Sequence, residues 1–233
     1  MPDRPILVFD VNETLLDLDH LRPIFEDIFG DGSVMREWFA QLILYSQTLT
    51  IAGLRSDFAL LALAVLRMTA GIRRVEITDG DAARLREGIA TMPAHSDAAA
   101  ALQHLRDAGF RMVTLTNSPP SDGPTALQRA GLGGYFERSF SVQPTGRFKP
   151  APQTYHQVAD ALSVPIPDMC LVACHVWDTI GMQALGGKGA LVTHGMNAPL
   201  PLDGVPQPDI VAPDLGGLAQ AIVAKWNVPQ STE

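Results

Sequence analysis

The alternation of apolar and polar positions divides the chain into two kinds of segment. A short apolar run, ILVF, ends at a carboxylate and predicts a buried strand over residues 6–10. Residues 20–92 contain no comparable run; apolar residues there recur every three or four positions, which predicts about four helices. From residue 93 onward, short apolar runs alternate with helical segments. This pattern indicates an α/β fold, a doubly wound parallel sheet with helices on both faces.

The elements predicted after residue 93 follow one another regularly. Strands are predicted at 111–116, 139–142, 170–174 and 190–194, and a last short strand and helix follow a proline-rich loop. Helices are predicted at 96–108, 123–130 and about 151–162, with another ending near Gly186. The pattern therefore predicts a catalytic core of residues 1–15 and 93–233, with an all-helical domain of residues 16–92 inserted into it.

Composition narrows the range of partners. The chain has 17 basic and 25 acidic residues, so its net charge of −8 argues against binding to nucleic acid or to an anionic membrane. It contains no run of about 18 apolar residues, and its first residues lack the pattern of a secretory signal. Cys170 and Cys174 lie too close together in sequence to suggest a disulfide framework. We expect a cytoplasmic protein.

Polar residues stand where the predicted strands end. In parallel sheets, active sites lie outside the carboxyl ends of the strands. The residues found there or in the loops that follow are Asp10, Thr116, Asn117, Lys149, His175 and Asp178. Each alone could be a helix cap, part of a turn or a solvated charge. Because they fall at the same edge of the sheet, together they predict an active site.

Four motifs carry a resemblance to a known family. FDVNETL, LTN, FKPAPQTY and HVWD are similar to the motifs of the haloacid dehalogenase superfamily, and most closely to those of its type II L-2-haloacid dehalogenases. The resemblance covers almost the whole chain. It implies a Rossmann-like core with a helical cap formed by residues 16–92, activity on a small-molecule 2-haloacid, and a homodimer formed through the cap.

Two positions separate phosphatase from dehalogenase chemistry. Phosphatases of the superfamily use a second aspartate, two residues after the nucleophile, as general acid and base, but this chain has Asn12 there. Loss of such a group costs about 10²–10⁴ in rate. Cys174 stands where an acid of the magnesium site is expected, and a thiol is a poor Mg²⁺ ligand. We therefore expect no metal or other cofactor. A Mg²⁺-dependent phosphatase and a non-catalytic small-molecule-binding protein remain the alternatives.

A carbon–halogen bond needs no proton donor, because halide leaves as a stable anion. Asp10 would attack carbon and form an aspartyl ester. Lys149 would keep Asp10 ionised, since a nearby positive charge favours the charged carboxylate. Asp178, together with His175, would activate the water that cleaves the ester.

The resemblance also implies a set of substrate-binding residues. Phe58, Asn117 and Trp177 would surround the halide, although core packing is the alternative for the two aromatic residues. The substrate carboxylate would be received by Thr14, Thr116 and the backbone N–H groups of Val11 and Asn12. Tyr155 belongs to the lysine motif and completes the set.

Three positions depart from the family pattern. The cap arginine that accepts the halide is replaced by Phe39, which removes about 1.5–3 kcal/mol of charge-assisted stabilisation unless Gln41 or Arg55 substitutes. His175 stands where asparagine is usual, and Ala173 where serine is usual. The chain is then either a divergent dehalogenase, with His175 as the missing base, or a relative that acts on another substrate.

Overall fold

The computed structural model describes residues 4–226 and contains a six-stranded, fully parallel sheet of order β3-β2-β1-β4-β5-β6. The strands are β1 (Ile6–Phe9), β2 (Met112–Thr116), β3 (Arg138–Ser141), β4 (Met169–Ala173), β5 (Lys188–Val192) and β6 (Ile210–Ala212). This confirms the predicted doubly wound α/β fold. Residues 1–3 and 227–233 of the predicted core lie outside the described residues.

The insertion between β1 and β2 is helical, as predicted. Its helices are α1 (Arg22–Phe29), α2 (Val34–Ile51), α3 (Phe58–Arg73) and α4 (Asp79–Ala90), preceded by a 3₁₀ turn at Leu18–Leu21. Phe25 of α1 packs on Trp38 of α2 with ring centroids 5.2 Å apart, and the Trp38 indole donates a 2.9 Å hydrogen bond to the Ala62 carbonyl of α3. The cap thus has its own apolar centre. Its division from the core at residues 15/16 and 92/93 stays a prediction.

Helices flank the sheet in the core. They are α5 (Ala98–Asp107), α6 (Ala126–Arg129), α7 (Pro152–Leu162), α8 (Val176–Gln183) and α9 (Leu215–Trp226). Helix α5 packs against α9, and α7 packs against α8. Along β1 and β4, every residue is buried, which is typical of central strands covered on both faces. In the described part of the chain, no helix combines the length and the apolar character that a bilayer crossing requires.

Two predicted boundaries were wrong. The helix expected over 123–130 is only the single turn α6, because Gly123 and Pro124 hold the preceding chain in a loop and Thr125 caps the turn. Strand β5 begins two residues before the predicted 190–194. Its first two residues, Lys188 and Gly189, are not part of the predicted apolar run, yet both pair with β4. Gly189 has no side chain, which allows the Gln183 side chain to approach closely. Strand pairing, rather than apolar character, sets that boundary.

The start of α3 gives a test of the cap. The Asp57 carboxylate accepts hydrogen bonds from the backbone N–H groups of Ala59, at 2.7 Å, and Leu60, at 3.2 Å. Asp57→Ala should lower the free energy of unfolding by about 0.5–2 kcal/mol, whereas Asp57→Asn, an equally good cap, should leave it nearly unchanged. Urea denaturation of the three proteins measures both differences. An equal loss in the two variants would contradict the capping role.

Candidate active site

The sheet order brings the predicted site residues together. Strand β1 lies between β2 and β4, so the segments that follow these three strands meet at one edge. Asp10 directly follows β1, and its backbone N–H donates a 3.0 Å hydrogen bond to the Val172 carbonyl of β4. Asn117 follows β2, and Asp178 lies in the first turn of α8, after β4. The expectation that these residues share one edge is met by the geometry.

Lys149 lies at the centre of this edge and is only 1 % exposed. Its ammonium donates to Asp10 Oδ1 at 2.8 Å, to Asp178 Oδ2 at 2.6 Å and to the Leu115 carbonyl at 3.0 Å. All three of its donors are therefore used. Burial opposes the charged form, but the two carboxylates outweigh burial and raise the pKa of Lys149 above its ordinary value. Lys149 is a buried cation shared by two carboxylates.

Asp10 is buried, and both of its carboxylate oxygens have partners. Oδ1 accepts from Lys149, while Oδ2 accepts from the Thr14 hydroxyl at 2.7 Å and lies 3.4 Å from Nδ1 of His175. Burial alone would raise the pKa of Asp10, but the charges of Lys149 and His175 and their hydrogen bonds hold it well below its usual range. Asp10 is thus ionised at neutral pH.

Asp178 is fully buried behind Asp10. One of its oxygens accepts from Lys149, and the other accepts from the Tyr155 hydroxyl at 2.6 Å. Burial and the negative charge of Asp10 raise the pKa of Asp178, although Lys149 opposes them. Burial, followed by the charge of Asp178, raises the pKa of Tyr155 well above its ordinary value. Tyr155 therefore holds Asp178, and Asp178 in turn holds the ammonium of Lys149.

His175 lies beside Asp10 and is held from two sides. Its Nδ1 faces Asp10, its Nε2 is 2.9 Å from Oε2 of Glu13, and its ring stacks on Trp177 at 5.2 Å between centroids. Burial would lower the pKa of His175, but Cys174 and the carboxylates of Asp10 and Glu13 outweigh it and raise that pKa well above its ordinary value. The direction of this shift favours the protonated ring, which faces a carboxylate from each of its nitrogens.

Glu13 was missed by the sequence analysis. It is buried, and its φ of 67° lies in the left-handed region that a glutamate rarely adopts. The Glu13 carboxylate accepts from His175, from Asn197 at 3.2 Å and from the Arg36 guanidinium of the cap. Burial would raise the pKa of Glu13, but the bonds to His175 and Arg36 lower it to about 2. Glu13 thus connects a cap helix to the ring beside Asp10.

Two further histidines fix the backbone of Glu13. Its carbonyl oxygen accepts from Nε2 of His95 at 2.9 Å and from Nε2 of His194 at 2.7 Å. Arg36 continues outward to Asp19, 2.8 Å away. Apolar periodicity gives no signal for such contacts, because they join residues that are far apart in sequence. An acidic residue within the first motif was the only available hint.

A small cavity of about 20 Å³ opens at Asp10. Its lining comprises Asp10, Asn12, Phe39, Ile43, Phe58, Thr116, Asn117, His175 and Trp177. Eight of these nine residues were predicted, and Ile43 was missed. The Asn117 amide is fixed because its Oδ1 accepts from the Lys149 backbone N–H at 3.0 Å. The cavity combines a carboxylate, a protonated ring, an amide and three large aromatic side chains.

The other predicted residues lie outside this lining. Val11 lines a neighbouring, larger cavity. Thr14 and Tyr155, which we expected to bind substrate, are fully buried and use their hydroxyls on Asp10 and Asp178. Gln41 and Arg55 do not line the cavity, and Arg55 lies against Gly146. Neither residue therefore takes the place of the cap arginine.

Three potential metal ligands lie close together at the site. Asp10, Cys174 and His175 place one ligand atom each within 4.8 Å of one another. This donor set does not suit Mg²⁺, which requires hard oxygen ligands in octahedral geometry. Burial raises the pKa of the Cys174 thiol, and Lys149 occupies the space between the two carboxylates that could have held a divalent cation. The residues present do not fit a magnesium site.

Known proteins of similar sequence and structure were compared with this chain. A family model for haloacid dehalogenase-like hydrolases matches residues 5–186. An (S)-2-haloacid dehalogenase from Pseudomonas sp. (strain CBS-3) is 29% identical over 185 residues, which cover 77% of this chain and 80% of that protein.

Solved structures show the same similarity. An L-2-haloacid dehalogenase superposes with a TM-score of 0.88 and 25% identity, covering 94% of this chain and 99% of that one. The L-2-haloacid dehalogenase of Xanthobacter autotrophicus was solved with chloropropionic acid covalently bound. It superposes with a TM-score of 0.84 and 24% identity, covering 95% of this chain and 98% of that one, and shows the shared fold. Because the family model spans well over half of the sequence, the chain belongs to the haloacid dehalogenase-like hydrolases.

Proposed function

We propose that this hydrolase removes halide from small 2-haloacids through an ester on Asp10, without a metal ion. The observation that carries the proposal is the state of Asp10. Lys149 and Thr14 hold it as an ionised carboxylate that lines an aromatic cavity, while Asn12 beside it offers no acid. The names of its relatives from Pseudomonas and Xanthobacter support the same reaction.

In the first step, a carboxylate oxygen of Asp10 attacks carbon 2 of the substrate. A C–O bond forms, the carbon–halogen bond breaks, and the halide departs with its electron pair. No proton is transferred, so an amide at position 12 is sufficient. Lys149 orients the carboxylate, and Asp178 with Tyr155 keeps Lys149 in place. We therefore assign Asp178 and Tyr155 to support rather than to contact with substrate.

The departing halide needs a positive partner, and the cap provides phenylalanine instead of arginine. We assign this role to the His175 imidazolium, together with the Asn117 amide and the edges of Phe58 and Trp177. All four line the cavity at Asp10. Both ring nitrogens of His175 already face carboxylates, so His175 compensates for the lost arginine by its positive charge rather than by a hydrogen bond to the halide. Thr116 and the backbone after Asp10 remain the predicted binding site of the substrate carboxylate.

In the second step, water cleaves the ester. Once Asp10 is esterified it carries no charge, so one of the interactions that raise the pKa of His175 is gone. The ring releases its proton to solvent and then accepts one from the attacking water, whose oxygen forms a bond to the carboxyl carbon of Asp10. The bond from that carbon to the substrate oxygen breaks and releases the product as an alkoxide. The alkoxide product takes that proton, and Asp10 returns its own proton to His175. One turnover therefore converts the haloacid and water into a hydroxy acid, halide and one proton.

Two alternatives fit the site less well. A Mg²⁺-dependent phosphatase would lack both the acid at Asn12 and a suitable donor at Cys174. A non-catalytic binding protein would have no need for an ionised carboxylate facing the cavity. A cytoplasmic location and a homodimer remain predictions. Exposed apolar residues on or next to the cap helices support the homodimer, namely Leu44, Ile51, Leu54, Leu60 and Ile72.

Halide release tests the reaction directly. The purified protein should liberate chloride from (S)-2-chloropropionate at the same rate with and without EDTA, and should not hydrolyse p-nitrophenyl phosphate. Asp10→Asn should abolish chloride release, whereas Asp160→Asn, at an exposed position of α7, should not affect it. Phosphate release without chloride release would refute the proposal, and an active Asp10→Asn variant would refute the ester.

Lys149→Met tests the buried ion pairs. At neutral pH this change leaves the buried Asp178 without a cation and Asp10 with only His175 beside it, so the free energy of unfolding should fall by about 3–5 kcal/mol. Because the pKa of Asp10 is lowered by folding, its ion pair stabilises the protein above the unfolded pKa and is lost as the pH falls. The deficit of the variant should therefore shrink towards acid pH in urea denaturation. Lys225→Met, at an exposed position, is the matched control; a deficit independent of pH would contradict the prediction.

Glu13→Gln tests the charge on His175. Removing this carboxylate lowers the pKa of His175, whose protonated form is the active one in the first step. The alkaline limb of the kcat/KM profile for chloride release should move to lower pH by about 1–3 pH units. Glu87→Gln, exposed on α4, should keep the parent profile. A uniform loss of rate at every pH would show that Glu13 has only a structural role.

A further inference from the structure

A second, larger cavity adjoins the one at Asp10. Its volume is about 250 Å³, and residues of both the cap and the core line it. Asn12, Phe39, Phe58 and Thr116 line both cavities. A molecule whose reactive carbon is held at Asp10 therefore has an adjoining space for any group attached to that carbon.

The wall of the larger cavity is mainly apolar. Its buried lining includes Val11, Leu18, Trp38, Leu42, Ala62 and Met92. Among the described residues, the charged side chains that line it are Arg86 and Arg129, and both lie at exposed positions. Within the described residues 4–226, the polar side chains of its less exposed lining are uncharged, Asn12, Thr114, Thr116 and Ser118 among them, so no opposite charge is available there for a charged ligand group. An apolar occupant is therefore favoured over water or an ion.

The two volumes indicate different parts of one ligand. The cavity at Asp10 has about 20 Å³, little more than the roughly 10–15 Å³ that a single water molecule needs, so it accommodates only the reacting centre. An apolar cavity of roughly 150 Å³ can hold benzene. The larger cavity, at about 250 Å³, has room for a phenyl group with additional carbon atoms. A methyl group on carbon 2 would leave it almost empty.

Building on the proposed dehalogenation, we propose that the preferred substrates are 2-haloacids with a large apolar chain on carbon 2, such as a benzyl group. The halogenated carbon lies at Asp10 and the chain extends past Phe39 and Phe58 into the larger cavity. Phe39 then contributes to substrate binding, because it forms part of the apolar wall that both cavities share.

The test compares kcat/KM for bromide release from (S)-2-bromo-3-phenylpropionate and (S)-2-bromopropionate. The parent enzyme should favour the phenyl substrate by about tenfold or more. Ala62→Phe fills the larger cavity from α3 and should remove this preference, while the rate on 2-bromopropionate changes less than about threefold. Ala64→Phe adds the same side chain at an exposed position of α3 and should retain the preference. Ala90→Phe fills the same cavity from α4 if Ala62→Phe does not fold.

Binding provides a readout that does not depend on turnover. Calorimetry should show 3-phenylpropionate binding the parent at least about tenfold more tightly than propionate, and Ala62→Phe should abolish the difference. Equal or better turnover of 2-bromopropionate by the parent would overturn this inference and leave dehalogenation intact. Preferential binding of 3-phenylpropionate with no bromide release from either acid would support the cavity and refute dehalogenation. Neither binding preference nor bromide release would refute both.

Discussion

A line of alternating charges, buried except at its Arg36 end, passes through Asp10 and constrains everything around it. Its members, in order, are Asp178, Lys149, Asp10, His175, Glu13 and Arg36. A buried charge is tolerated only where opposite charges and hydrogen bonds compensate for its desolvation. Each interior member has a neighbour of opposite sign on both sides, so none can change its protonation state independently. The neighbours, rather than the solvent, therefore keep Asp10 ionised and His175 protonated.

The central position of Lys149 also decides which chemistry the fold can perform. Parallel strands β1 and β4 end side by side, and their following residues bring two carboxylates close together. A positive group between them is required. A divalent cation in that place would offer open coordination positions to a phosphoryl oxygen, whereas an ammonium with all three donors in use offers none. Lysine can orient a nucleophilic carboxylate but has no open position to coordinate a phosphoryl group under attack, which agrees with the amide of Asn12.

Local patterns predicted the sheet and the part of the cavity at the strand ends, whereas Phe39, Phe58 and Trp177 came from the family resemblance. Apolar runs located all six strands, and the rule that active sites lie at strand ends located Asp10, Asn117 and Asp178. These patterns did not predict Glu13 and Arg36, because a left-handed glutamate and a contact between cap and core depend on tertiary packing. The sequence motif that contains Tyr155 was recognised, but a motif does not give the orientation of a side chain. The Tyr155 hydroxyl was therefore expected to bind substrate, although it donates a hydrogen bond to Asp178. A sequence pattern predicts the strand end at which a residue lies, whereas tertiary packing determines which groups its side chain contacts.

The replacement of a cap arginine by Phe39 has two effects that act together. In the proposed reaction, the positive charge beside the halide comes from His175 of the core, which Glu13 holds in place. Esterification of Asp10 would then lower the pKa of His175. On the cap side, an apolar ring replaces a charged group at the boundary of the two cavities. A guanidinium there would need polar partners and would make burial of a carbon chain costly. In the proposed reaction, a positive charge on His175 rather than on the cap stabilises the halide, and the cap can then recognise the rest of the molecule by apolar contact.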